Sequence, residues 1–176
     1  MHFYGNDYST SPKLYYSYWR DGQFITRDRF AGYLKVYGRE TQLDGQNNLH
    51  IFWKDPVPIP GGQVTGLYYQ CLSQNLTASL TETLSGYSSV YEVVKGAGYT
   101  GWVALAWRES EEGNQRVRVG VWNGCTRMYL KTVPGASGWK ELEAVSVSDT
   151  LSMVCLLGRR SYFPETREVI CADIRR

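Results

Sequence analysis

The sequence predicts an all-β protein, an antiparallel β-sandwich or barrel of about 10–12 short strands with at most one short helix, at residues 75–85. Three observations lead to this prediction. Apolar and polar residues alternate with a period of two through much of residues 100–176, as they do in half-buried strands. Turn residues interrupt the chain at short intervals. The length of 176 residues suits one compact domain, residues 1–176, with its own core.

The first half consists of short aromatic and β-branched segments between turns. These segments are YYSYWR, QFITRDRF, GYLKVY, LHIFWK and GLYYQCL, and their composition favours strands. The stretch DPVPIPGGQ holds three prolines in five residues, so we expect residues 55–63 to form an extended surface loop. In NLTASLTETLSG, Leu76, Leu80 and Leu84 recur at every fourth position. That spacing favours a helix, although the intervening Thr and Ser residues also suit a strand.

The second half predicts a meander of six strands. WVALAWRE and RVRVGVW flank the turn ESEEGNQ, and Val117, Val119 and Val121 alternate as in a half-buried strand. TRMYLKTV, WKELEAVSVS and REVICADI continue the pattern. LSMVCLLG is apolar almost throughout, which predicts a strand buried on both faces.

Gly96, Gly98 and Gly101 match the G-x-G-x-x-G fingerprint of a dinucleotide-binding loop. That fold also needs a helix after the third glycine and an acidic residue at the end of the next strand. Asn123 stands where the acid is required, and the alternation of strands and helices is missing. We therefore expect a turn between two strands here, and no cofactor.

Catalytic constellations are equally sparse. His2 and His50 are the chain's two histidines, and a lone histidine within a strand is usually structural. Glu109, Glu111 and Glu112 form an acidic cluster, which we expect to be a solvated hairpin tip rather than a carboxylate pair for glycoside cleavage. The sequence thus predicts that the protein is not an enzyme.

Charge and cysteine spacing narrow the possible partners. A net charge of +2 without basic runs argues against nucleic acid, and no segment is apolar enough for membrane insertion. Cys71, Cys125, Cys155 and Cys171 form no C-x-x-C pair, so we expect no metal site. We expect four reduced thiols, the alternative being disulfides in an oxidising compartment.

Aromatic side chains are the positive signal. The chain has 14 Tyr and 6 Trp, and such rings are typical of binding surfaces. In KLYYSYWRDGQF both faces of the predicted strand carry large rings, so one face either binds a ligand or is covered inside a sandwich. The candidate receptor- or glycan-binding residues are Tyr16, Tyr18, Trp19, Arg20, Trp122, Asn123 and Tyr162.

This Tyr- and Gly-rich chain of short strands, ending in CADIRR, resembles the capsid spike (projection) domain of an astrovirus-like non-enveloped virus. The resemblance implies a β-barrel-like, homodimeric spike at the virion surface, made in the host cytoplasm as part of a larger capsid polyprotein. It also implies attachment to a host receptor, protein or glycan, and recognition by neutralising antibodies.

Two alternative functions remain. A phage tail-fibre tip has most of the same features. SGWKELEAVSVSDTLSMVCLLG is similar to one blade of a tectonin-type lectin propeller, which implies a glycan-binding module.

Overall fold

The structure is a computed structural model that describes residues 2–7, 13–20, 23–28, 37–74, 77, 79–86, 88–98, 100–148 and 152–174. The chain divides into two compact units, Met1–Tyr37 and Gly38–Arg176. The expectation of a single domain over residues 1–176 stays a prediction.

The first unit contains one three-stranded antiparallel sheet. Its strands are β1 (His2–Asp7), β2 (Lys13–Arg20) and β3 (Gln23–Asp28), in the order β1-β2-β3. The register places Tyr16 of β2 opposite Tyr4 and Arg27. The segment YYSYWR is therefore part of a strand, as its composition predicts, and this strand lies between the other two.

Three further antiparallel sheets follow, each an up-and-down meander. The first has β4 (Tyr37–Leu43), β5 (Leu49–Ile59), β6 (Gly62–Leu72) and β7 (Glu82–Ser85). The second has β8 (Ser89–Ala97), β9 (Trp102–Glu111), β10 (Asn114–Asn123) and β11 (Thr126–Thr132). After a 3-10 helix at Ala136–Gly138, the third has β12 (Glu141–Ser148), β13 (Met153–Tyr162) and β14 (Glu165–Asp173). The all-β antiparallel prediction is confirmed, with fourteen strands among the described residues.

The sheet β8–β11 is the middle layer, because each of its faces packs into a different apolar cluster. Ala104 and Ala106 of β9 pack with residues of β12 and β13, whereas Leu105 and Trp107 pack with residues of β5 and β6. Alternate residues of a strand point to opposite faces. A strand covered on both sides is therefore almost continuously apolar, which explains the run VALAW.

Disulfides correct the expectation of four reduced thiols. Cys71 of β6 is bonded to Cys125, in the turn between β10 and β11, and Cys155 of β13 is bonded to Cys171 of β14. The first bond links two sheets, and the second links opposed residues of one hairpin. Cysteines 54 residues apart in sequence are brought together only by the packing of the sheets, so their spacing could not reveal the pairing.

Three expectations about individual elements are wrong. No helix forms in the described part of residues 75–85, where β7 buries Leu84, and Leu80, which precedes β7, is 88% exposed. The prolines of residues 55–63 lie in and beside a hairpin, since β5 pairs with β6 as far as Ile59 and Gly62. The missing N–H groups of Pro56 and Pro58 are tolerated, because in this register the backbone nitrogens of both residues point away from β6 and take no part in its hydrogen bonds.

The third wrong expectation concerns β13, which is buried on one face rather than on both. Val154 and Leu156 are buried against the middle sheet, while Cys155 and Leu157 on the other face are half-buried. An apolar run does not by itself distinguish a strand with two covered faces from a strand with one.

The glycine motif is a turn, as predicted. The Gly98 N–H donates to the Trp102 carbonyl oxygen over 2.8 Å, and Gly101 has a φ of +93°. Gly96 lies where β8 meets β12, and a β-carbon there would collide with the Val145 carbonyl oxygen. Gly96 thus permits the close packing of β8 and β12, and Gly101 permits a left-handed turn.

Among the described residues, no helix has the length and hydropathy needed to cross a bilayer.

Candidate functional site

The predicted binding residues fall into three groups. Tyr162 is exposed at the end of β13, and Asn123 is half-exposed at the end of β10. Trp122 is completely buried. Tyr16, Tyr18, Trp19 and Arg20 lie on β2, but their side chains lie outside the described part of the structure.

Trp122 is a core residue, so the expectation of a ligand-binding ring there is wrong. Its ring lies 4.4 Å from that of Tyr69 and 5.5 Å from that of Phe52, measured between centroids. Gly120, two residues earlier on the same face, leaves the space that the indole fills, since a β-carbon there would lie 2.6 Å from it. Val117, Val119 and Val121 lie on one face of β10. The other face, which carries Trp122, is covered by the sheet β4–β7.

The exposed tip of the β13–β14 hairpin is the best candidate site. Phe163 is 94% exposed and Tyr162 is 49% exposed; we call these two residues the aromatic tip. The Ser161 hydroxyl accepts a hydrogen bond from the Phe163 N–H over 3.2 Å and donates one to the Phe163 carbonyl oxygen over 3.1 Å. This short local pattern holds the turn in one conformation.

Five charged residues support the base of the tip: Glu141, Glu143, Arg159, Glu165 and Arg167, which we call the ion-pair frame. The Arg159 guanidinium lies 5.3 Å from the centroid of the Tyr162 ring, within range of a cation–π contact. Arg159 also reaches Glu143 over 2.7 Å, and Arg167 reaches Glu143 over 2.8 Å and Glu165 over 2.6 Å.

Glu143 is the centre of the ion-pair frame. Desolvation pushes its pKa upward, but hydrogen bonds from Arg167 and Arg159, together with their charges, hold the pKa below its usual value. The carboxylate is therefore ionised at neutral pH and fixes both guanidinium groups. The aromatic tip thus lies at the end of two paired strands rather than in a long unpaired loop. Sites supported by strands are held more precisely than sites on loops.

A second polar cluster, which is buried, lies between the first two sheets of the larger unit. His50 Nε2 is 3.3 Å from an Asp44 carboxylate oxygen, and His50 Nδ1 is 3.1 Å from the Tyr69 hydroxyl. Burial raises the pKa of Tyr69 far above its usual range. Desolvation opposes ionisation of Asp44, but hydrogen bonds from His50 and Asn48 lower its pKa. His50 is thus a structural histidine, as predicted.

The residues of the acidic cluster lie in different environments, and not all of them are in contact with solvent. Glu112 is exposed, but Glu109 is completely buried. Its carboxylate accepts hydrogen bonds from Trp107 Nε1 over 2.8 Å and from Arg116 Nε over 2.5 Å. The expectation of a solvated tip is therefore wrong for Glu109, which occupies the covered face of β9. Its position two residues after Trp107 on the strand was the available signal.

Asn123 belongs to a cluster of turns. The Gly124 N–H donates to the Gly101 carbonyl oxygen over 2.8 Å, and Gln46 Nε2 donates to the Thr100 carbonyl oxygen over 3.2 Å. These hydrogen bonds connect three turns from two sheets, those at Gln46, Gly101 and Gly124, and amide side chains lie at their surface.

In the described ranges, no group of three or more His, Cys, Asp or Glu side chains could hold a metal ion.

Comparison with known proteins adds little. No protein-family model matches the chain, and no curated protein matches it. Among solved structures, a thermostable family-43 glycoside hydrolase is similar with a TM-score of 0.43 and 11% identity, over 94% of this chain and 69% of that one. A likeness this low carries no argument about function.

Proposed function

We propose that this protein is an attachment domain that binds a receptor on a cell surface through the aromatic tip. The observation that carries the proposal is the 94% exposure of Phe163 beside a half-exposed tyrosine, on a hairpin held by the ion-pair frame. An exposed ring on a preorganised support loses little conformational entropy when it enters a partner's pocket. Tyrosine rings surrounded by satisfied polar groups are typical of binding hot spots.

The charges near the tip favour an uncharged contact. The arginine and glutamate side chains near the tip are paired with one another. The arginines are Arg159, Arg160 and Arg167, and the glutamates are Glu141, Glu143, Glu165 and Glu168. Three positive charges against four negative charges offer no attraction to an anionic surface. The rings therefore supply the binding energy, and the ion pairs form a polar rim around them.

The two disulfides support a location in an oxidising environment, where such bonds persist. The surface of a virion is one such place. Within the proposal, the spike of a non-enveloped virus is the setting that fits an attachment domain with this exposed tip.

A binding measurement tests the proposal. Fluorescently labelled protein is incubated with a panel of animal cell lines and bacterial strains, and the bound fraction is measured by flow cytometry. We expect saturable binding to a subset of cells and a loss of affinity of at least about tenfold in the variant Tyr162→Ala/Phe163→Ala. The matched control is Leu80→Ala, which removes an apolar side chain that is 88% exposed elsewhere. Equal binding by the double variant would refute the role of the tip.

A glycan-binding module is the second candidate, favoured by the interlocked turns around Asn123. Amides on rigid turns suit the hydroxyl groups of neutral sugars. A glycan array tests this candidate: Asn123→Ala loses binding, whereas Asn114→Ala, at an exposed position of the same strand, retains it. An array with no signal for the unmodified protein excludes the candidate.

A further inference from the structure

The two disulfides of the larger unit differ in their access to solvent. Cys71 and Cys125 both pack into the apolar cluster between the sheets β4–β7 and β8–β11, and Cys71 is completely buried. Cys155 is half-buried, whereas Cys171 is exposed. A thiolate in solution can therefore reach the Cys171 sulfur of the folded protein, but it can reach Cys71 only after the sheets separate.

Cys171 is exposed because of its place in the third sheet. It lies on β14, which in the described part of the chain is the last strand of its sheet. It also lies on the face opposite to the one that buries Val154 and Leu156. Val169, two residues earlier on the same face, is 62% exposed. A reagent can therefore approach the Cys171 sulfur both from the outer face and from the edge of the sheet.

The backbone ladder between β13 and β14 does not depend on the disulfide. The Ile174 N–H donates to the Ser152 carbonyl oxygen, and the opposed pairs of an antiparallel ladder alternate between hydrogen-bonded and non-hydrogen-bonded. Counted from this bond, Cys155 and Cys171 form a non-hydrogen-bonded pair, as their Cα separation of 4.1 Å also indicates. Opening the disulfide thus breaks no pair that exchanges backbone hydrogen bonds.

Side-chain contacts also hold the hairpin without the disulfide. Val154 and Leu156 are buried against the middle sheet, and the Glu143 carboxylate of β12 binds the guanidinium groups of both Arg159 and Arg167. These contacts join β12, β13 and β14 to one another and to the core. We therefore expect the protein to stay folded when the Cys155–Cys171 bond is open.

We propose that the Cys155–Cys171 disulfide is a site of thiol–disulfide exchange, opened by an external dithiol while the Cys71–Cys125 disulfide stays closed. Exposed disulfides are the reactive class, whereas buried structural ones resist reduction. The inference does not depend on the aromatic tip or on the proposed function.

The exchange takes place in two steps. One thiolate of the dithiol attacks Cys171 Sγ and forms a mixed disulfide, while the bond to Cys155 Sγ breaks and Cys155 leaves as a thiolate. The second thiolate of the dithiol then attacks the reagent's own sulfur in the mixed disulfide and releases Cys171 as a thiolate. The dithiol is oxidised by two electrons to a disulfide, the protein disulfide is reduced, and the two cysteine thiolates take up the protons that the dithiol loses.

The first test uses the unmodified protein, so it does not depend on how a variant folds. Oxidised protein in native buffer is treated with dithiothreitol, quenched at intervals with N-ethylmaleimide, then fully reduced and labelled with iodoacetamide. Peptide mass spectrometry gives the reduced fraction at each cysteine. We expect the Cys155–Cys171 bond to open at least about tenfold faster than the Cys71–Cys125 bond.

Two outcomes of this test overturn the proposal. One is reduction of both disulfides at equal rates. The other is a loss of native tryptophan fluorescence in step with the opening of Cys155–Cys171, because the bond would then open only by unfolding. A parallel arm replaces dithiothreitol with reduced thioredoxin, and we expect the same selectivity. Opening by dithiothreitol alone overturns a protein as the source of the dithiol and supports a small molecule.

The second test identifies the sulfur that is attacked. Cys155→Ala leaves Cys171 as a thiol, and the matched variant Cys171→Ala leaves Cys155 as a thiol, with the other disulfide kept in both. Each folded variant is mixed with 5,5′-dithiobis(2-nitrobenzoate), and the released nitrothiobenzoate is followed by absorbance. We expect Cys171 to react about tenfold faster than Cys155, because it is the more exposed of the two. Equal rates, or a faster Cys155, would contradict attack at Cys171.

Discussion

Removal of the Cys71–Cys125 disulfide should destabilise the protein more than removal of the Cys155–Cys171 disulfide. The first bond joins residues 54 apart in sequence, the second residues 16 apart. The loop-closure entropy of the unfolded chain then gives about 4 kcal/mol for the first bond and about 3 kcal/mol for the second. Cys71 is also completely buried, so its replacement by alanine leaves a small cavity and adds to the difference.

The measurement is urea unfolding of oxidised protein, followed by tryptophan fluorescence, to which the completely buried Trp107, Trp122 and Trp139 contribute. The free energy of unfolding is compared among the unmodified protein, Cys71→Ala/Cys125→Ala and the matched control Cys155→Ala/Cys171→Ala. Thiol titration of the unmodified protein comes first, and four free thiols would refute both disulfides. A loss for the control equal to or larger than that for Cys71→Ala/Cys125→Ala would refute the reasoning from loop length and burial.

Three further predictions concern single side chains. Gly96→Ala should cost about 1–3 kcal/mol, because its β-carbon would push β8 away from β12; Gly62→Ala, which has open space around it, should be nearly neutral in thermal unfolding. Glu109→Ala should cost about 1–3 kcal/mol, because the buried Trp107 indole N–H loses its acceptor, whereas Glu112→Ala should change the unfolding free energy by less than about 0.5 kcal/mol. Since the pKa of Glu143 is lowered in the folded state, its stabilisation is complete above the unfolded pKa and is lost as pH falls through the folded one. The melting temperature should therefore decrease as the pH is lowered past about 4.5. The variant Glu143→Gln should show a smaller dependence on pH. A flat pH profile for the unmodified protein would contradict the ion-pair frame.

The meander of the second half was predictable, because its strands are patterned locally. Val117, Val119 and Val121 face one cluster, and a period of two needs no knowledge of what covers that face. The exposed position of Tyr162 was predictable for a similar reason, since a Ser-Tyr-Phe-Pro turn between two apolar strands belongs at a surface.

The burial of Trp122 could not be predicted from its local sequence, and for Glu109 the local signal was its position two residues after Trp107 on the same strand. Both lie on the second face of the middle sheet, where Trp122 packs against Phe52 and Tyr69 of β5 and β6 and Glu109 accepts hydrogen bonds from Trp107 and Arg116. A tryptophan beside Asn-Gly and a glutamate in a run of acids have the local character of surface residues. The burial of Trp122 depends on partners far away in the sequence.

The amino-acid sequence by itself determined the antiparallel strands and the turns between them, including the turn at Gly98 and Gly101. These features follow from backbone preferences and from the alternation of side chains over a few residues. The stacking of the sheets decided which faces are covered and which cysteines meet. Those outcomes depend on contacts between residues distant in the chain, and short-range patterning carries no information about such contacts.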